Sequence, residues 1–214
     1  MVITVFGATG QAGKRIVSMA LAKGYTVRAF GRNVEGLIDK DLADENFEAI
    51  KGYVFDEAEV FEAVKGADAV LSALGGGRGG NDKTRSLGIK NIIAQMQKAA
   101  VKRIINIGGM GILKSDAYEY IMNRPGYPSV FLPVTKEHLQ AYLYLKDSEL
   151  DWTIVCPPDI LDKDADGRYI TNADYPPSTG INKVAAGNIA DFMLKELTER
   201  RYLQKRVGIS DIAM

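Results

Sequence analysis

The sequence predicts an α/β fold: one doubly wound parallel sheet with helices on both faces. Three observations carry this expectation. Short apolar, β-branched runs alternate with amphipathic stretches along the chain, the pattern of successive β–α–β units. The first run, VITVF at 2–6, leads at once into a glycine-rich turn, GATGQAG at 7–13. The 214 residues show no internal repeat and no low-complexity linker. A single Rossmann-type domain over 1–214 follows, with 157–182 as a small substrate-side extension.

Each element has its own reason. VITVF (2–6) is a continuous apolar run, as in a strand buried on both faces. QAGKRIVSMALAKG (11–24) sets Ile16, Val17, Ala20 and Leu21 on one helical stripe, and Gly24 ends it. YTVRAFGR (25–32) and FEAIKGYVF (47–55) read as the second and third strands. DEAEVFEAVKG (56–66) is a helix for which Asp56 is a natural N-cap. DAVLSAL (68–74) is a fourth strand, KTRSLGIKNIIAQMQKAA (83–100) a long helix, and KRIINIGG (102–109) a fifth strand. VTKEHLQAYLYLKDSEL (134–150) is helical, and DWTIVCPP (151–158) is a sixth strand stopped by two prolines. The stretches 75–82, 110–133 and 157–181 read as irregular. In a sheet of this type, such loops leave the carboxyl ends of strands, where ligands bind.

Composition narrows the function. Hydrophobic residues make up 46% and charged residues 25%, ordinary for a globular protein. Lys plus Arg and Asp plus Glu number 27 each, so no net field draws the chain to nucleic acid or anionic lipid. One Cys, Cys156, excludes an internal disulfide framework, and one His, His138, argues against zinc; no metal is expected. No apolar run reaches the ~18 residues of a membrane helix, and the N-terminus lacks the regions of a signal peptide. A cytoplasmic enzyme or ligand-binding protein is expected, as monomer or homodimer.

In GATGQAG, Gly7, Gly10 and Gly13 follow a Gly-x-x-Gly-x-x-Gly spacing. Gly7 lets the chain leave the strand sharply, Gly10 lets backbone N–H groups approach a pyrophosphate, and Gly13 lets the helix pack on the sheet. The anion would rest on the helix N-terminus, with Thr9 adding a hydroxyl. The spacing alone also fits a simple strand–helix turn. The buried strand before it, the amphipathic helix after it and a second strand ending near residue 30 favour a nucleotide. At that strand's end stands Arg32, with no adjacent carboxylate. An acidic residue there would accept from a ribose 2′-OH, whereas an Arg suits a 2′-phosphate, so NADPH is favoured over NADH.

The segments FGATGQAG, GADAVLSALG and SELDWTIVCPP resemble the atypical or extended short-chain dehydrogenase/reductase superfamily, in its NAD(P)H-binding, NmrA-like group. Within it, VTKEHLQAYLYLKDSELDWTIVCPPDI (134–160) and FMLKEL (192–197) are most similar to the biliverdin IXβ/flavin reductases. The resemblance spans nearly the whole chain and implies a Rossmann domain holding NADPH under an open pocket. By it, Gly7, Thr9, Gly10, Gln11, Ala12 and Gly13 line the pyrophosphate, and Arg32 meets the 2′-phosphate. Tyr53 and Val54 edge the adenine, and Leu74, Gly75 and Gly76 back the ribose. Gly108, Gly109 and 157–160, with Pro157 and Ile160 foremost, surround the nicotinamide. Three departures stand out. Gly52-Tyr53 replaces the usual Gly-Asp, Gly108-Gly109 replaces a frequent Ser or Thr, and Asp159 stands where the reductases have a His.

The catalytic residues are less legible. The one Tyr-x-x-x-Lys spacing, Tyr142 and Lys146, lies late in a helix that feeds the sixth strand, at the edge away from a ligand site. A core Tyr and a surface Lys are expected there. The start of that helix is better placed, which leaves Thr135, Lys136, His138 and, beyond the prolines, Asp159. Cys156 and Trp152 read as core. A flavin or linear tetrapyrrole can take its proton from solvent, so the protein need only orient donor against acceptor. The expected function is an NADPH-dependent reductase of a small planar acceptor (flavin, quinone or bilin), with any flavin a substrate rather than a bound group. A dinucleotide sensor without turnover and a sugar-nucleotide epimerase-like enzyme are the rivals.

Overall fold

A computed structural model describes residues 1–37, 45–77, 79 and 81–213. Positions 78 and 80 of the glycine-rich 75–82 run therefore lie outside the described residues. The elements follow one another as β1 (Val2–Phe6), α1 (Gln11–Ala22), β2 (Thr26–Gly31), β3 (Phe47–Lys51), α2 (Glu57–Val64), β4 (Ala69–Ser72), α3 (Thr84–Lys98) and β5 (Arg103–Ile107). Then come α4 (Leu132–Lys146), β6 (Asp151–Cys156), β7 (Asp159–Leu161), β8 (Tyr169–Ala173), β9 (Lys183–Ala185), α5 (Ala186–Glu199) and β10 (Lys205–Asp211).

The main sheet has the order β3-β2-β1-β4-β5-β6-β10-β8. Its first six strands are parallel and doubly wound, and the direction of winding reverses between β1 and β4. A crevice is expected at that switch point, at the carboxyl ends of the strands. Alternation along each strand divides the core between two faces. Val5, Leu71 and Ile105 meet α1 and α5 through Ile16, Val17, Met193 and Leu194. Phe6, Val70, Ile104 and Ile154 meet the other layer through Val60, Ile89, Met96 and Leu145. Asp56 caps α2 as expected, its side chain accepting from Glu59 N at 2.9 Å.

The chain's last third departs from the expectation. Residues 157–181 are not irregular throughout, for β7 and β8 lie within them, and β7 pairs with β9 in a small parallel sheet. The chain after 200 joins the sheet as well. β10 sits inside the main sheet, parallel to β6 and antiparallel to β8, so the sheet is not parallel throughout. Arg206 of β10 is 3% exposed, its guanidinium stacked between the rings of Tyr120 and Tyr142 and donating to the Ile112 carbonyl. That contact ties the 110–123 stretch, which begins and ends in a short 3-10 turn, to β10. Asn188 ties the β7–β8 extension down: its Oδ1 accepts from Asp166 N and Gly167 N, and its Nδ2 donates to Asp166 and Asp211.

Candidate functional site

A cleft of about 490 Å³ opens at the switch point. Its floor is the 7–13 turn. Gly7 adopts φ +72°, and a Cβ there would come 2.4 Å from the Ala73 carbonyl oxygen, so the turn of β1 and the exit of β4 touch backbone to backbone. Gly10 is the N-cap of α1, and no side chain caps that helix. Its first-turn N–H groups therefore have no side-chain cap, the arrangement that suits an anion.

Most residues expected to hold a dinucleotide line this cleft together. Gly7, Thr9, Gly10, Gln11 and Ala12 form the base, and Arg32, Tyr53 and Val54 form one end. Leu74, Gly75 and Gly76 form the wall, with Gly108 and Ile160 at the other end. Gly13 lies behind the turn, where a Cβ would be 2.1 Å from the Gly7 carbonyl oxygen. Arg32 is exposed and makes no ion pair among the described residues, whereas the next acid in the chain, Glu35, is held by Lys51 at 3.1 Å. Tyr53 is half exposed and stands edge-on to Phe55, its ring free to cover a planar group.

Gly109, Pro157 and Asp159 belong instead to a second cavity of about 570 Å³. Met110, Ile121, Tyr127, Phe131 and Val134 give it apolar walls, and Arg124 is its one cationic side chain. The two cavities share one residue, His138. Its ring packs against Gly109, where a Cβ would lie 3.1 Å from His138 Cδ2. Burial, followed by the charge of Arg85, pulls the imidazole down to about 3, so it is neutral at any working pH.

Helical register separates the remaining candidates. Thr135 and His138, three apart on α4, face the second cavity, while Lys136 between them is exposed and lines neither cavity. Tyr142 is buried edge-on against Trp152, and Lys146 is exposed. Cys156 is buried, which pushes its thiol up to about 12, and it does not face the cleft.

The sequence model of the NAD(P)H-binding family matches residues 7–200, nearly the whole chain. The chain belongs to that family. A relative within reach is an uncharacterized chloroplastic protein of Arabidopsis thaliana, 26% identical over 95% of this chain and 72% of its own length. Among solved structures, a provisionally assigned epimerase of Bacteroides thetaiotaomicron is 29% identical with TM-score 0.86, covering 100% of this chain and 98% of that one. A provisionally assigned NADH-flavin reductase of Streptococcus pneumoniae is 25% identical with TM-score 0.80, covering 99% of each.

Within this NAD(P)H-binding domain, the structure adds residues that the sequence reading passed over. Arg85 of α3 reaches back to the glycine-rich wall, donating to the carbonyls of Gly76 and Gly77 at 3.0 and 3.2 Å. Asp82 grips the same segment from the other side, accepting from Gly77 N and Thr84 N. Those bonds, with the Thr84 hydroxyl first, hold its carboxyl down at about 2. The wall at Gly76 and Gly77 is therefore tied down from two sides. Tyr127 was equally hidden: it reaches the second cavity from the 110–133 stretch, where no motif marks it.

Proposed function

We propose that the protein is an NADPH-dependent reductase that passes hydride to a small planar acceptor such as a flavin, quinone or bilin. The observation that carries this reading is the meeting of two cavities at His138. The first has the glycine floor, the uncapped helix end and an Arg32 without an ion pair among the described residues, which suit a dinucleotide with a 2′-phosphate. The second is broad and mostly apolar, suited to a flat acceptor.

The dinucleotide, when bound, supplies the hydride. The chain's own residues do the rest. Gly7, Thr9, Gly10, Gln11, Ala12 and the α1 amides bind the pyrophosphate, with Gly13 keeping the turn tight. Arg32 takes the 2′-phosphate, while Tyr53 and Val54 edge the adenine. Leu74, Gly75 and Gly76 back the ribose, held by Arg85 and Asp82. Gly108 and Ile160 would frame the nicotinamide, Gly109 and Pro157 would border it from the acceptor's cavity, and neutral His138 would stand between the two. Orientation of this kind contributes much of the rate when the acceptor is intrinsically reducible.

Oxidation of NADPH by FMN, menadione and biliverdin in turn tests the reading, and turnover with one of them is expected. Dinucleotide binding at micromolar affinity with no turnover by any acceptor would overturn it. That outcome would favour a redox sensor, a reading supported by the burial of Tyr142, the single Tyr in a Tyr-x-x-x-Lys spacing, against Trp152.

A further inference from the structure

We infer that Tyr127, backed by Thr135, is the hydroxyl that bonds the acceptor's reducible oxygen or nitrogen and hands it a proton. The inference rests on the reductase reading and adds the chain's own proton donor to it.

Three observations converge on this pair. Tyr127 Oη and Thr135 Oγ1 lie 2.8 Å apart, and both residues line the second cavity. Thr135 is 4% exposed and Tyr127 is Oγ1's one hydrogen-bond partner among the described residues, so a hydroxyl that water cannot reach is paired with one at a cavity wall. Gly111 makes the room: a Cβ there would come 2.5 Å from Tyr127 Oη and 2.6 Å from Thr135 Cγ2. Any other residue at 111 would displace the hydroxyls. They are therefore seated against the segment that continues from Gly108-Gly109, in the second cavity, which meets the cleft at His138.

The alternatives at that junction are weaker. His138 is neutral, so it has no imidazolium proton to give, and Lys136 faces solvent. Asp159, on the second cavity's rim, is exposed. A Thr135 that donates to Tyr127 Oη leaves the phenol proton free to point into the cavity. The balance is simple. The acceptor gains two electrons and one hydrogen as hydride, and its heteroatom gains the Tyr127 proton. Tyr127 regains a proton from water, so one solvent proton is consumed per turnover.

The test uses the full chain with FMN and menadione as probes. Tyr127→Phe removes only the hydroxyl. It should weaken binding of the probe without dinucleotide about five- to tenfold, as one lost hydrogen bond predicts. It should also lower kcat about 100-fold and abolish the solvent isotope effect on kcat, while NADPH affinity stays unchanged. Thr135→Val should fall between wild type and Tyr127→Phe, and Thr135→Ser, which restores a hydroxyl, should recover part of that loss. Tyr127→Phe with wild-type probe affinity and kcat would overturn the inference, as would a wild-type protein that binds neither probe. Probe binding that depends on Tyr127 without any turnover would sink the reductase reading alone and keep the hydroxyl subsite.

Discussion

The hydrogens of Gly13 point at the carbonyl oxygen of Gly7, so that a Cβ on Gly13 would stand 2.1 Å from that oxygen and 2.8 Å from Ala8 Cα. No side-chain motion relieves such a contact, because both obstacles are backbone. Gly13→Ala must push α1 away from the turn and so move the amides that the proposed reading gives to a pyrophosphate. Dinucleotide affinity, measured by titration calorimetry, should fall at least ~10-fold, a loss of about 1.4 kcal/mol, with a lower Tm. Gly36→Ala, where a Cβ meets nothing within 4 Å, is the control and should change neither. Wild-type affinity in Gly13→Ala would show that the turn does not carry the anion.

In the proposed reading, Arg32 is the residue that favours NADPH over NADH. Its guanidinium is exposed at the end of β2 with no acid of the described residues bound to it. A charge-assisted, bidentate contact with a 2′-phosphate is worth roughly 1.5–3 kcal/mol. Arg32→Ala should therefore raise the Kd for NADPH by about 10- to 100-fold and leave that for NADH nearly unchanged. Equal losses for both would remove Arg32 from the phosphate site.

What was legible in the sequence is what short-range chemistry writes there. β1, β4, β5 and β6 are almost wholly buried runs, with β2 partly buried beside them and β3 at the sheet's edge, and the 7–13 turn follows from glycines that must touch backbone within a few residues. The extension and β10 were hidden because their reasons are distant. Arg206 and Gly208 look wrong for an interior strand. Yet Arg206 is satisfied by Tyr120, Tyr142 and Ile112, and a Cβ on Gly208 would strike the Tyr175 carbonyl at 2.3 Å. At the site, Thr135 could be read from helical phase. Its partner Tyr127 could not, since only the fold of 110–133 brings it near.

His138 is the only His in the chain, so it gives a clean pH signature. Its folded pKa is lowered from 6.5 to about 3 by burial and then by Arg85. The unfolded chain thus binds a proton that the folded one refuses. Stability is complete above about pH 6.5 and is lost as pH falls, at up to about 1.4 kcal/mol per unit until the folded pKa is reached. Between pH 6.5 and 5 few carboxylates contribute, so Tm should decline over that window. His138→Asn should flatten the decline there. A wild-type Tm that holds level from pH 6.5 to 5 would contradict the assignment.

The strongest test of the core lies at Arg103 and Glu196, which are 4% and 1% exposed and joined at 3.1 Å. Burial brings the Arg103 guanidinium down to about 10 despite the facing carboxylate, so the charge pays heavily for its position. Glu196 does more than pair with it. Its Oε1 also accepts from Tyr202 N at 2.9 Å and its Oε2 from Arg201 N at 3.1 Å, which fixes the turn between α5 and β10. Removing one charge strands the other, at a cost of roughly 3–5 kcal/mol. Glu196→Ala should accordingly lower Tm by about 6–20 °C for a chain of this size. The double variant Arg103→Met with Glu196→Leu strands no charge and should recover part of that loss, limited by the amides of Arg201 and Tyr202 that it leaves unpaired. A double variant less stable than Glu196→Ala would mean that the hydrogen bonds to the turn, and not the stranded charge, dominate the balance.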